Sequence, residues 1–233
     1  MGRLIEELDY RETAMGPLVL RRRWVAAIDA DVVEVILGDE HLMSSLFTVG
    51  ETELAVRGLA AAKDGPLRVL VGGLGLGYTA RAALADDRVT SVEVVDALAP
   101  VIEWHEAGLV PLGESLGHEP RCHLRQGDFF GWFDAPRAPA DRYDVVLLDI
   151  DHSPRNLLHP DHARFYAEAG LRRLRAGMAD DGVFAMWSDE GPDAAFTALL
   201  EAVFERVDAE VVAFDNPLTG GLSTCTIYVC GRA

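Results

Sequence analysis

The sequence predicts a doubly wound, Rossmann-like α/β fold with a mainly parallel sheet, preceded by a small N-terminal β domain. Three observations carry that expectation. From Leu67 onward, short apolar runs of strand length alternate with helical patterns, the order that yields a parallel sheet with helices on both faces. A glycine-rich turn, Gly72-Gly73-Leu74-Gly75-Leu76-Gly77, joins the first of those strands to the helix after it. The chain closes on two strand patterns around the turn-rich segment Asn216-Pro217-Leu218-Thr219-Gly220-Gly221, an antiparallel hairpin signal. The N-terminal β domain is placed at 1–48 and the Rossmann-like domain at 49–233.

Taken in order, segments 17–28 and 32–37 read as strands of a small antiparallel sheet, and 50–63 as a helix stopped at Asp64-Gly65-Pro66. Leu67–Val71, Val89–Val95, Cys122–Arg125, Asp144–Leu148 and Gly182–Trp187 are the five strands of the α/β part. Thr79–Ala85, Pro100–Ala107 and Arg164–Arg175 are helices between them. Over 193–207, Phe196, Leu199, Leu200, Val203, Phe204 and Val207 follow the i, i+3, i+4 spacing of a helix packed on a sheet. Val211–Phe214 and Thr224–Cys230 form the closing hairpin.

Composition excludes several classes of function. With 49% hydrophobic and 25% charged residues the chain has the makeup of an ordinary soluble domain. No apolar run reaches the roughly 18 residues of a membrane span. The polar start MGRLIEELDYRE lacks a signal-peptide core, and Glu6 stands where N-myristoylation after Met1-Gly2 needs Ser or Thr. The net charge of −17 opposes binding to a phosphate backbone, so the short run Arg21-Arg22-Arg23 reads as a strand end or a local anion contact. Cys122, Cys225 and Cys230 form no CxxC pair, as expected of reduced thiols in the cytoplasm.

The chemistry concentrates at the ends of the predicted strands, where ligands of such sheets bind. The glycine turn lets a ligand approach backbone with no Cβ in the way. Its Gly73-x-Gly75-x-Gly77 spacing places Tyr78 where a dinucleotide fingerprint needs its third glycine, which disfavours a nicotinamide oxidoreductase and suits S-adenosylmethionine. Asp96, with Ala97 after it, ends the second strand and is placed to accept from ribose hydroxyls. Gly127-Asp128-Phe129 follows the third strand. There an oxygen of Asp128 can accept from an adenine amino group with Phe129 or Phe130 against the ring. The fourth strand runs into Asp149-Ile150-Asp151-His152-Ser153-Pro154. Asp149 is then a cofactor contact and, with His152 and Asp151, a candidate for taking a proton from an acceptor or orienting it. His152, His159 and His162 lack a compact metal-ligand spacing, so no metal is expected.

Together the glycine turn, Val95-Asp96 followed by Val101-Ile102, Gly127-Asp128, and Asp149 with Phe165-Tyr166 beyond it resemble the spermidine synthase family over roughly residues 35–230. That family lies among the S-adenosylmethionine-dependent transferases. The resemblance implies an N-terminal β domain, Asp96 on the ribose, Asp128 near the adenine, Asp149 beside the transferred group, and a homodimer. Two departures stand out. Aligned on Asp39-Glu40, the chain shows Met43-Ser44-Ser45 where the family carries a tyrosine and a glutamate, and the loop after Asp149 has an extra residue before its proline. A lost glutamate removes a charge-assisted contact to a polycation, and His152, Ser44, Ser45 and Trp187 stand in place of some of the acids. The first expectation is therefore a methyltransferase that uses S-adenosylmethionine on a small-molecule acceptor. The alternatives are an aminopropyltransferase using decarboxylated S-adenosylmethionine and a nucleoside-binding homologue without catalysis.

Overall fold

The computed structural model describes residues 4–135 and 138–232, so Met1-Gly2 lies outside the described residues. Strands β1 (Ile5–Thr13), β2 (Gly16–Val25), β3 (Ala30–Leu37) and β4 (Glu40–Ser44) form an antiparallel sheet in the order β1-β2-β3-β4. Helix α1 (Val49–Ala60) leads into β5 (Leu67–Gly72), α2 (Tyr78–Leu84), β6 (Val89–Asp96), α3 (Ala99–Glu106), the short α4 (Gly113–Gly117), β7 (Cys122–Gln126) and β8 (Tyr143–Leu148). Then come α5 (Glu168–Ala176), β9 (Met178–Ser188), α6 (Ala194–Glu201), β10 (Arg206–Asn216) and β11 (Gly221–Gly231). The seven strands of the second sheet run β10-β11-β9-β8-β5-β6-β7. Pairings from β7 through β9 are parallel, and β11 and β10 add on antiparallel. This is the expected Rossmann-like architecture.

Strands β5 and β8 are buried along nearly their whole length, as apolar runs LRVLVG and YDVVLL require when helices cover both faces. One apolar cluster fills the face under α1, α2 and α3 and extends to the N-terminal sheet through Leu18, Leu20, Val33 and Val35. The other holds the aromatic residues Phe129, Phe130, Phe133, Phe165, Tyr166, Phe184 and Phe196 under α5 and α6. The chain moves outward from β5 to β6 and β7, then returns to place β8 on the other side of β5. The crevice above the carboxyl ends of β5 and β8 is therefore the topological switch point of the sheet.

Three expectations change in detail. Strand β1, with exposed and charged residues such as Glu6, Glu7 and Arg11, carries too little alternation to read as a strand. It is held by pairing with β2, and Trp104 of α3 donates its indole N–H to Asp9 at 2.7 Å. The helix expected over 164–175 begins at Glu168, after a 3₁₀ turn over Pro160–Arg164. The helix expected over 193–207 ends at Glu201. Phe204, from the segment after the helix, and Val207, from β10, still join Phe196 and Leu200 in one apolar cluster, so helical spacing outlasts the helix.

The arginine run is a local anion contact. Arg21 and Arg23 on β2 bond the carboxylate of Glu34 on β3, each at 2.7 Å, and Glu34 is 2% exposed. Burial alone raises a carboxyl pKa, but the bonds and charges of Arg23 and Arg21 overcome it and hold Glu34 at about 2. A depressed folded-state pKa contributes stability that is complete above the unfolded value of about 4.5 and is lost as pH falls from there towards 2. We expect Glu34→Gln to cost roughly 1.5–3 kcal/mol near pH 7, in line with losing charged hydrogen bonds. The gap to wild type in chemical denaturation should shrink between pH 4.5 and 2, and a gap unchanged across that range would refute this account.

Candidate active site

The switch point opens into a cleft of about 470 Å³ between the glycine turn, the carboxyl ends of the parallel strands and the N-terminal sheet. Its floor is a contact between two backbones. The Asp149 N–H donates to the Gly72 carbonyl at 2.9 Å, and the Gly73 N–H donates to Val95 at 2.9 Å. Gly73 has φ of +91°, and a Cβ there would sit 2.1 Å from the Asp149 carbonyl oxygen. No other residue fits that position. Below the turn, the Phe129 ring fills the space where a Gly72 side chain would be, which makes Phe129 a core residue as well as a cleft wall.

The side chains expected at the strand ends come together. Gly73, Gly75, Asp96, Ala97, Gly127, Asp128, Phe129, Asp149 and His152 all line the cleft, whereas Gly72 and Gly77 sit behind it. Asp96 accepts from the N–H groups of Leu74 (2.9 Å) and Leu98 (2.8 Å). Burial raises its pKa and these bonds, with one from Gly75, oppose the rise. Asp128 accepts from the Phe130 N–H at 2.9 Å, and Arg164 lies 3.5 Å from its other oxygen. Asp151 is not a cleft residue. It is 3% exposed, and its carboxylate fastens the loop after β8 by accepting from the Leu158 N–H (2.7 Å), the His162 ring (2.9 Å) and the Tyr166 hydroxyl (2.8 Å). The Nε2 of His152 is buried without a hydrogen-bond partner, 3.7 Å from Glu40 of β4. Ser44 also lines the cleft, while the Ser45 hydroxyl is turned to the Val33 N–H.

Sequence reasoning missed Glu51. It stands in the first turn of α1, where an acid reads simply as a partner of the helix dipole. Here it faces the cleft with Asp149. Burial and the charge of Asp149 raise the Glu51 pKa. Burial also raises that of Asp149, against the Thr79 hydroxyl, which donates to it at 2.7 Å. Two carboxyls that cannot both ionise cheaply share a proton near neutral pH. Gly50 allows this approach, because a Cβ there would lie 2.5 Å from the Trp187 indole nitrogen. His105, 1% exposed, supports the glycine turn from beneath through an Nε2 contact with the Gly75 carbonyl at 3.0 Å. Among the described residues that line the cleft there are five carboxylates, Glu51, Asp96, Asp128, Asp149 and Asp189, and no Lys or Arg. No cluster of His, Cys, Asp and Glu suited to a metal occurs among the described residues. No helix among them is long and apolar enough to cross a membrane.

No protein-family model matches the chain. It is 32% identical over 201 residues to polyamine aminopropyltransferase 2 of Pseudomonas aeruginosa, covering 80% of this chain and 55% of that protein. It is 28% identical over 189 residues to the polyamine aminopropyltransferase of Pyrobaculum calidifontis, covering 79% of this chain and 63% of the relative. The chain thus spans little more than half the length of the curated relatives it matches. Among solved structures, spermidine synthase from Thermotoga maritima superposes with a TM-score of 0.74 at 15% identity, covering 97% of this chain and 73% of that one.

The floor geometry makes a direct prediction. Gly73→Ala forces a methyl group into the Asp149 carbonyl and strains a positive φ, so β5 and β8 must part at their ends. We expect a cost of at least about 1–3 kcal/mol, read by chemical denaturation. Wild-type stability in that variant would contradict the geometry.

Proposed function

We propose that this chain, similar in sequence to polyamine aminopropyltransferases and in fold to spermidine synthases, transfers an aminopropyl group from decarboxylated S-adenosylmethionine to an amine. The observation that carries this reading is the charge of the cleft. S-adenosylmethionine brings a carboxylate, which would meet Glu51 and Asp149 with no lysine or arginine beside it. The decarboxylated form is purely cationic at that end, and a shared-proton carboxyl pair is a fitting receptor for it. The glutamate whose absence at Met43-Ser44-Ser45 argued for methyl transfer is supplied by Glu51 from α1. A solved spermidine synthase with the same overall architecture holds the transition-state analogue AdoDATO, which fits the same ligand class.

In this reading Asp96 accepts from the ribose hydroxyls, Asp128 from the adenine, and the backbone of Gly73 and Gly75 lies along the ligand. When bound, the decarboxylated ligand supplies a carbon activated by its sulfonium. Asp149, held by Thr79, takes the proton that the acceptor nitrogen must lose as its new C–N bond forms and the C–S bond breaks. The electron pair of the broken bond stays on sulfur as a neutral thioether. Glu51 balances the positive charge of the aminopropyl chain, and His152 orients the acceptor from the loop after β8. The remainder of catalysis is alignment of nitrogen, carbon and sulfur.

Calorimetry with each ligand separates this from methyl transfer. We expect the decarboxylated form to bind at least about tenfold tighter than S-adenosylmethionine, the gain of roughly one charge-assisted contact. Because a cation displaces the proton shared by Glu51 and Asp149, binding near pH 7 should release a proton, read as a dependence of the heat on buffer ionisation enthalpy. Glu51→Gln should abolish that release, and Asp149→Asn should lower turnover by about 10²–10⁴. Tight binding of S-adenosylmethionine alone would sink the aminopropyl reading.

A further inference from the structure

The five carboxylates of the cleft all stand on the side of the parallel sheet. Asp96, Asp128, Asp149 and Asp189 lie at or just after the carboxyl ends of β6, β7, β8 and β9, and Glu51 joins Asp149 from the first turn of α1. The wall contributed by the N-terminal sheet and β10 is apolar: Met15, Val35, Leu37, Leu42, Phe47 and Phe214. Phe47 and Phe214 meet with ring centroids 6.2 Å apart, which carries that wall from the segment after β4 across to β10. None of the N-terminal sheet's described carboxylates lines the cleft. Glu34 is buried on Arg21 and Arg23, and the Glu40 side chain is 65% exposed. The polar groups of that sheet in the cleft are His41 and Ser44, and the Ser44 hydroxyl already accepts from the Leu46 N–H at 3.1 Å. Asp151 is withdrawn as well, with its carboxylate spent on Leu158, His162 and Tyr166.

Resting on the aminopropyl reading above, we propose that the acceptor is a primary amine with an apolar far end, an alkyl- or arylalkylamine, and not a diamine or polyamine. In that reading the donor engages Asp96, Asp128 and Glu51, and Asp149 takes the proton of the attacking nitrogen. Asp189 is the remaining acid. It too belongs to the sheet side, tied to the loop after β8 by its N–H on the His152 carbonyl at 2.8 Å. The donor lies along the glycine turn, so the acceptor takes the space between Asp149 and the N-terminal sheet. An apolar body is stabilised there by burial against the wall. A second ammonium in the same place gives up its hydration and finds no carboxylate. The free-base nitrogen forms its C–N bond as the C–S bond breaks, the electron pair stays on sulfur and the proton passes to Asp149. The product is a secondary amine that carries a 3-aminopropyl group.

The test compares 1-aminopentane with 1,4-diaminobutane as acceptors for decarboxylated S-adenosylmethionine, with products identified by mass spectrometry. The two amines match in length and differ by a methyl group in place of an ammonium. Wild type should show a kcat/KM at least about tenfold higher for 1-aminopentane. Leu42→Glu and Phe47→Glu, made separately, each put a carboxylate into the wall and should move that ratio at least about tenfold towards the diamine. Melting curves identify which variants keep the fold, and the wild-type ratio decides alone if neither does. A ratio unmoved in both folded variants overturns the proposal. Equal or better transfer to 1,4-diaminobutane by wild type also overturns it and leaves the aminopropyl reading standing. Absence of transfer to either amine overturns it too, and takes the aminopropyl reading with it if calorimetry shows no binding of the decarboxylated ligand.

Discussion

The molecule is organised around the place where two parallel strands end against each other without side chains between them. β5 stops at Gly72-Gly73 and β8 at Leu148-Asp149, and the two backbones share a hydrogen bond at that point. Close approach puts the carboxylate of Asp149 directly over the glycine turn. The chain reversal between β5 and β8 parts the flanking helices above it, so an opening is created where the backbone is most crowded. Everything else in the cleft is aimed at this junction. Asp96 holds the turn from one side, Thr79 holds Asp149 from α2, and His105 props Gly75 from below.

The N-terminal sheet closes the cleft from above by contacts of a different kind. Met43 of β4 lies against Gly75 and accepts the Leu76 N–H, and Phe47 packs near Phe214 of β10. The Asp9–Trp104 bond and the Arg–Glu34 cluster give that sheet fixed internal and external anchors. The loop after β8 is tied down separately, through Asp151. Three parts distant in sequence thus meet around one space, and each is held by a buried polar group with its partners supplied.

The sequence made the α/β part readable because its signals are local. Apolar strand runs, a glycine turn and acids at or just past strand ends all fall within short windows, and most of the residues predicted there line one cleft, with Gly72, Gly77 and Asp151 outside it. What was hidden depends on tertiary contact. Strand β1 has no apolar face of its own, and α6 stops early because Phe204 and Val207 satisfy the same apolar cluster from the turn and strand that follow. Asp151 and Asp149 are indistinguishable as letters two apart, and strand alternation would set both on one face; β8 ends at Leu148, and the bends after it send one into the cleft and the other into a buried network with His162 and Tyr166. Glu51 carried an ordinary explanation as a helix-start acid, and only the packing of α1 against Trp187 shows where it faces.

A cleft whose described lining residues include five carboxylates and no lysine or arginine is selective in time as well as in chemistry. Its electrostatic grip on a ligand lasts only while that ligand is positive. In the proposed reaction the sulfur loses its charge as the carbon leaves it, so the nucleoside half becomes neutral at the moment its task is complete and its electrostatic hold disappears. The amine half leaves with more charge than it brought. In that reaction, departure of the amine rather than of the nucleoside is the event that ionic strength accelerates.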